Sequence, residues 1–213
     1  MSRLFPCNPA IALVVAAACL AAPGARAAEE KAPAVPADMN PQQLISKAFI
    51  GDLSKILKNE IVQMMVKAQN KRHASIEQAE VEALDKKWRA ERKAEDKPLI
   101  SATLSNPLSV YLLRMQARAG GLYSEIFIMD DKGLNVGQSS ITSDYWQGDE
   151  AKYKKTFLVA PDAVFIDEPE WHKGTKTWRA QVNMTIAANE GGQAIGAAVF
   201  EINLTELKRR LGA

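Results

Sequence analysis

Cysteine is nearly absent from this 213-residue chain: Cys7 and Cys19 are its only two, and both lie near the N-terminus. Met1 to Pro9 carries a single charge, Arg3. Ile11 to Ala22 is apolar, and Ala25-Arg26-Ala27 places small residues two apart. A basic start, a short apolar run and an A-x-A site describe a secretory signal peptide cleaved after Ala27. The run falls short of the roughly 20 residues that a membrane span needs. A competing lipoprotein reading would lipidate Cys19 after Ala16-Ala17-Ala18 and tether the protein to a membrane. On the first reading both cysteines leave with the signal. The mature chain then has no disulfide, thiol nucleophile or thiolate metal site, and its expected location is the periplasm.

Excess charge is lacking too. Removing Arg3 and Arg26 leaves 25 basic residues against 25 acidic ones, so the mature protein is formally neutral. That disfavours a nucleic-acid partner, because phosphate binding needs a clustered positive excess. There are only two histidines, His73 and His172, and neither accompanies a serine or cysteine motif. No nucleophile, base and orienter can be assembled from the sequence, so an enzyme is not expected. Asp144, Asp149, Glu150 and Asp167 are hard oxygen donors that would suit calcium if the fold gathered them. Their spacing is not that of an EF-hand, so they read as solvated or capping carboxylates, and neither metal nor cofactor is expected.

What is present is about 185 mature residues, enough for one domain with a real core. Residues 28–39, rich in Ala, Pro and charge, read as a flexible leader. Asn40-Pro41 is an N-cap with proline at the first helical position. From Leu44 to Ala68 apolar residues recur at helical spacing, which predicts one long amphipathic helix to about Gln69. It packs on its own domain or forms a dimer; its stripe is too irregular for sustained heptads. Ser75 with Gln78 reads as a capping box opening a highly charged helix to about Arg92, anchored by Trp88. Asn106-Pro107 opens a third helix, ended by Gly120-Gly121.

The apolar period then changes. Leu122–Met129 and Leu134–Ser139 read as strands joined by the turn Asp130 to Gly133. A polar and aromatic loop, Ile141 to Gly148, leads to a short helix starting at Asp149. Further strands are predicted at Ala163–Asp167, Thr177–Ala187 and Ala194–Asn203, with a turn over Trp171–Lys176. Thr205 caps a final helix whose Lys208, Arg209 and Arg210 suit its negative end. The expected class is α+β: 40–121 helical, 122–213 a five-stranded antiparallel sheet with a flap and a C-terminal helix.

The richest cluster of functional residue types is Thr142-Ser143-Asp144-Tyr145-Trp146-Gln147-Gly148-Asp149-Glu150-Ala151-Lys152. Its aromatics would wall an apolar floor while polar tips orient a small ligand. Equally, Asp149 would only cap the helix, and Tyr145 and Trp146 would only plug the sheet edge. The D-D-K-G-L-N-V turn, this stretch, and the later I-D-E-P, W-R-A-Q-V-N-M and G-Q-A-I-G-A-A-V-F-E-I-N-L segments resemble the extracytoplasmic Cache sensor domains, the PDC-type, PAS-like modules. The resemblance covers about Asn40 to Leu207. It implies a PAS-like sheet with a long N-terminal helix, and a pocket between sheet and flap for an amino acid, carboxylate or similar metabolite. The implied pocket residues are Asp144, Tyr145, Trp146 and Gln147 of the flap, with Asp167, Trp178, Arg179 and Asn183 of the strands. Arg179 would pair a ligand carboxylate bidentately, or else lie on the strand's outer side. Sensor domains of this family normally sit between two membrane spans. Here the chain ends after Gly212-Ala213, so a membrane-bound signalling protein would be the partner. The alternative is an interaction or structural protein of the same fold, acting through its long helix without a ligand.

Overall fold

The computed structural model describes residues 32–212; the expected signal segment, its cleavage point after Ala27 and Cys19 lie outside them. A 3-10 turn at Ala37–Met39 precedes α1 (Pro41–Leu44), and Met39 is already buried in the core. Part of the segment read as a leader is therefore structured, and Asp38 in it also pairs with Lys208.

The predicted long helix is three helices: α1, α2 (Lys47–Leu57) and α3 (Glu60–Arg72). Two side-chain caps make the breaks. Ser46 Oγ accepts the Phe49 N–H at 3.2 Å, and Asn59 Oδ1 accepts the Ile61 N–H at 3.0 Å, each from an extended backbone. Such residues satisfy the orphan donors of a new helix and so compete with continuation of the old one. The apolar stripe survives the breaks because Leu53, Leu57, Val62 and Val66 all reach the same core.

Helix α4 (Gln78–Glu91) opens with Glu80 accepting the Glu77 N–H at 3.2 Å; Gln78 is spent on Glu82 instead of a box with Ser75. A helix not foreseen, α5 (Pro98–Ser105), follows, its first turn held by the Glu91 carboxylate accepting the N–H groups of Leu99 and Ile100 at 2.8 and 3.0 Å. Helix α6 (Pro107–Arg118) has the expected Asn106 cap, and Gly120 and Gly121 leave it with positive φ.

The sheet contains β1 (Tyr123–Met129), β2 (Asn135–Gln138), β3 (Val164–Ile166), β4 (Glu170–His172), β5 (Thr177–Ala187) and β6 (Ala194–Asn203), every pair antiparallel. The order is β2-β1-β6-β5-β3, and β4 lies against the other end of β5. The expected five-stranded PAS-like sheet is thus present, with one edge position shared by two short strands. Pro169 between them has no N–H to give a ladder, so the edge breaks and resumes. Part of the segment read as a turn, Trp171–Lys176, is consequently strand. Between β2 and β3 lies α7 (Ala151–Lys154), and after β6 comes α8 (Leu204–Leu211). Asn203 rather than Thr205 caps α8; the Thr205 hydroxyl accepts the Trp178 N–H at 3.0 Å.

Alternation sorts the strand residues between two faces. Trp178, Ala180, Val182, Met184 and Ile186 of β5 join Ala198, Phe200 and Ile202 of β6 in the core under α2, α3 and α6. Each large side chain buried there contributes roughly 1.5–3 kcal/mol by leaving water. The other face carries Phe127, Met129, Ala197 and Val199, covered by Tyr153 of α7 and by Phe157. The β1–β2 turn is organised by Asp130. Fully buried, it accepts the N–H groups of Lys132 and Leu134 on one oxygen and bonds Gln69 and His73 on the other.

Candidate binding site

Register gives the face under α7 its chemistry. Glu125 of β1 stands opposite Glu201 of β6, which stands opposite Gln181 of β5; one step along, Phe127, Val199 and Asn183 form the next row. Cross-strand partners share a face, so this side of the sheet is charged at one end and apolar at the other.

Over the charged end lies a cavity of about 230 Å³. Its walls are Glu150 and Lys152 at α7, Asp167, Glu168 and Glu170 around Pro169, Arg179 and Gln181 of β5, and Glu201. Arg179 Nη1 meets Glu201 at 2.8 Å, with side chains only 17% and 22% exposed. A second nitrogen of Arg179 donates to Thr175 Oγ1 at 3.0 Å. Lys152, 14% exposed, meets Glu150 at 3.0 Å, donates to Gln147 Oε1 at 3.2 Å and lies 5.4 Å from the Phe127 ring centre. Behind Glu201, Glu125 accepts the Ser140 hydroxyl at 2.5 Å. Burial pushes the Glu125 carboxyl above the usual carboxylate range, and the charge of Glu201 adds to the effect. Charged groups this little exposed are tolerable because they are paired.

The residues expected to form the pocket separate into two groups. Asp167 and Arg179 line this cavity, and Asn183 is buried on the same sheet face. Gln147 reaches it only through Lys152. Trp178 is a correction: it points to the opposite face, against Trp171 at 5.4 Å between ring centres in the helix-side core, because strand alternation turns it away from Arg179.

Asp144, Tyr145 and Trp146 do not cover the sheet. Asp85 of α4 accepts the Tyr145 and Trp146 N–H groups on one oxygen, at 2.9 and 3.1 Å. Tyr145 stacks on Trp88 at 5.2 Å, and Trp88 Nε1 donates to the Thr142 carbonyl at 3.0 Å. Trp146 Nε1 donates to the Lys132 carbonyl at 2.9 Å, and Asp144 pairs with Arg89 at 3.0 Å. Burial, with the nearby charge of Asp130, pushes the Tyr145 phenol up to about 12. This part of the loop is therefore bolted to α4.

Of the residues lining this cavity, sequence reasoning passed over Glu201, Gln181, Glu168 and Glu170, and it placed Lys152 in the functional stretch without assigning it to the pocket. Stepping by two from Arg179 would have found Gln181; Glu201 needed the β5–β6 register.

No family model matches the sequence, and no curated protein does. Among solved structures the chain is similar to the ligand-binding domain of the Pseudomonas aeruginosa PAO1 amino acid chemoreceptor PctC in complex with GABA. Identity there is 15% and the TM-score 0.34, over 78% of this chain and 64% of that one. It is also similar to the sensory domain of the Campylobacter jejuni chemoreceptor Tlp3, at 13% identity and TM-score 0.37, over 80% and 66%. A third is the V. cholerae histidine kinase DctB sensor domain, at 14% and 0.35, over 70% and 59%. This chain spans less than two thirds of each. All three are sensory or ligand-binding domains of chemoreceptors or a histidine kinase.

Proposed function

We propose that the protein is an exported sensor-type domain that binds a small metabolite in the cavity between the outer sheet face and α7. The observation that carries this reading is the convergence of little-exposed charged side chains from α7, β5 and β6 around that one cavity. A protein that used this face only for packing would have no use for ion pairs there, since apolar residues of similar volume are often as stable or more so. The volume suits a metabolite below drug size. The presence of both charge signs favours an amino acid over a plain carboxylate. In this reading the location is the periplasm and the signal passes to a membrane-bound protein. Among the described residues no helix is long and apolar enough to cross a membrane. The rival reading is an interaction or structural protein of the same fold acting without a ligand through residues 41–72, which form three successive helices.

The test is thermal shift of the purified protein against amino acids, carboxylates, amines and calcium. Ligand at 100 times its Kd stabilises by about 2.7 kcal/mol, which for a domain of this size raises Tm by roughly 5–10 °C. Ala151→Trp, an exposed α7 position on the cavity wall, should abolish the rise. A flat response to every compound would end this reading.

A further inference from the structure

We propose that a second cavity, between α2 and the sheet edge at β3, binds a carboxylate that carries an aliphatic chain. This site is independent of the cavity under α7. Its volume is about 470 Å³, a size common among small-molecule sites. One wall is α2, through Lys47, Ile50, Gly51, Ser54, Leu57 and Lys58. These positions recur at intervals of three and four, so they form a single face of the helix. The rest of the lining is residues 161–164, leading into β3, and part of β5.

The middle of that helix face lacks bulk. Gly51 and Ser54 stand where an amphipathic helix ordinarily packs large apolar side chains. Glycine weakens a helix interior, and nothing in the backbone or the packing demands it here. Gly51 has no positive φ, and a Cβ added to it would meet nothing within 4 Å. Its effect is to keep the wall open.

Apolar surface gathers at the other wall. Among the described residues nine large hydrophobic side chains are exposed, and three of them, Leu158, Val159 and Val164, fall within residues 158–164. Val164 lines the cavity and is 40% exposed. Exposed apolar surface concentrated at one place marks a binding surface.

Charge selects the sign of the ligand. Lys47 and Lys58 line the cavity against a single carboxylate, Asp162. Among the described residues neither lysine has an ion-pair partner, whereas Arg179 and Lys152 of the other cavity are both paired. At 1.5 Å per residue the two lysines stand roughly 16 Å apart along α2. A carboxylate meets one of them while its chain lies along Gly51 and Ser54 against Val164. Addition of a peptide strand to the edge fits less well. Strand β3 has three residues, and Ala163 and Asp167 turn their backbone groups to β5, which leaves only Val164 and Ile166 facing outward.

Calorimetry on the purified protein tests this with decanoate, kept below its micelle concentration. Decylamine offers the same chain with the opposite charge, and acetate the same head without the chain. Decanoate is expected to bind saturably, and the other two at least tenfold more weakly. Gly51→Leu fills the groove and improves the helix, so it should melt no lower than the parent and lose decanoate. Lys47→Gln combined with Lys58→Gln should weaken binding about tenfold, the worth of one charge-assisted hydrogen bond. Ala151→Trp, in the other cavity, should leave decanoate binding unchanged, which separates this outcome from that of the sensor reading. The proposal is overturned if decanoate fails to bind, if decylamine binds as well, if binding survives Gly51→Leu, or if Ala151→Trp abolishes it. Capture by phosphatidylglycerol vesicles without affinity for free decanoate overturns it too, by making this face a membrane contact.

Discussion

Replacing Asp85 with alanine should unfasten the aromatic loop from α4. Asp85 is 8% exposed, and one of its oxygens serves two consecutive N–H groups, Tyr145 at 2.9 Å and Trp146 at 3.1 Å; the other accepts from Arg89 at 2.7 Å. A buried donor stripped of its partner costs about 1–3 kcal/mol. Tyr145 is buried and sits in the upper part of that range; Trp146 is half-buried and rehydrates more cheaply. Arg89 keeps Asp144 at 3.0 Å and adds little. Together the loss is about 3 kcal/mol, which for a domain of this size lowers Tm by roughly 6–12 °C. Asp85→Asn keeps one acceptor for the two loop N–H groups but loses the charge and the oxygen that accepts from Arg89, so it should cost about 1 kcal/mol. Circular dichroism melts give the magnitude, the near-ultraviolet band of the stacked Trp88–Tyr145 pair reports the loop, and hydrogen exchange should quicken at the Tyr145 and Trp146 amides. An Asp85→Ala melt within 1 °C of the parent, with both amides still protected, would show that the stack alone holds the loop and refute the reasoning.

Glu125→Gln should stabilise the protein above neutrality. Burial raises the folded-state pKa of this carboxyl, so the folded form binds the proton more tightly and stability falls as pH climbs from the unfolded pKa through the folded one. The variant keeps an acceptor for Ser140 and lacks the desolvated charge; its melts should lie above the parent at pH 8 and converge with it near pH 4. Gly196→Ala should destabilise by about 3 kcal/mol, measured by urea denaturation, because a Cβ there would lie 2.2 Å from the Met129 carbonyl oxygen, where β1 and β6 approach. An unchanged midpoint would mean the strands separate freely at that position.

Several elements were legible in the residues because their signals are local and repeated. Strands β5 and β6 occupy the predicted Thr177–Ala187 and Ala194–Asn203, each carrying a sustained apolar run bounded by turn residues. Asn40-Pro41 and Asn106-Pro107 start helices as expected, since a cap acts on the N–H groups two or three residues ahead of it. The caps at Ser46 and Asn59 are equally local, but they lie inside a continuous apolar stripe. The stripe reports which side faces the core; it does not report whether the helix is unbroken. Helix α5 was missed because its first turn is held by Glu91 of the preceding helix.

The sequence by itself determined that a helical part precedes an antiparallel run of strands, the alternation of β5 and β6, and the absence of thiol chemistry from residues 28–213. Tertiary structure alone decided where the aromatic loop went. Thr142 to Lys152 is chemically suited either to cover the sheet or to lean away from it. The choice belongs to Asp85 and Trp88, far back in the chain, which take up its amides and its tyrosine ring. It also decided which charges meet. Glu125, Gln181 and Glu201 adjoin only through the registers of three strands, and long-range register is set by how two faces bury together rather than by any local pattern.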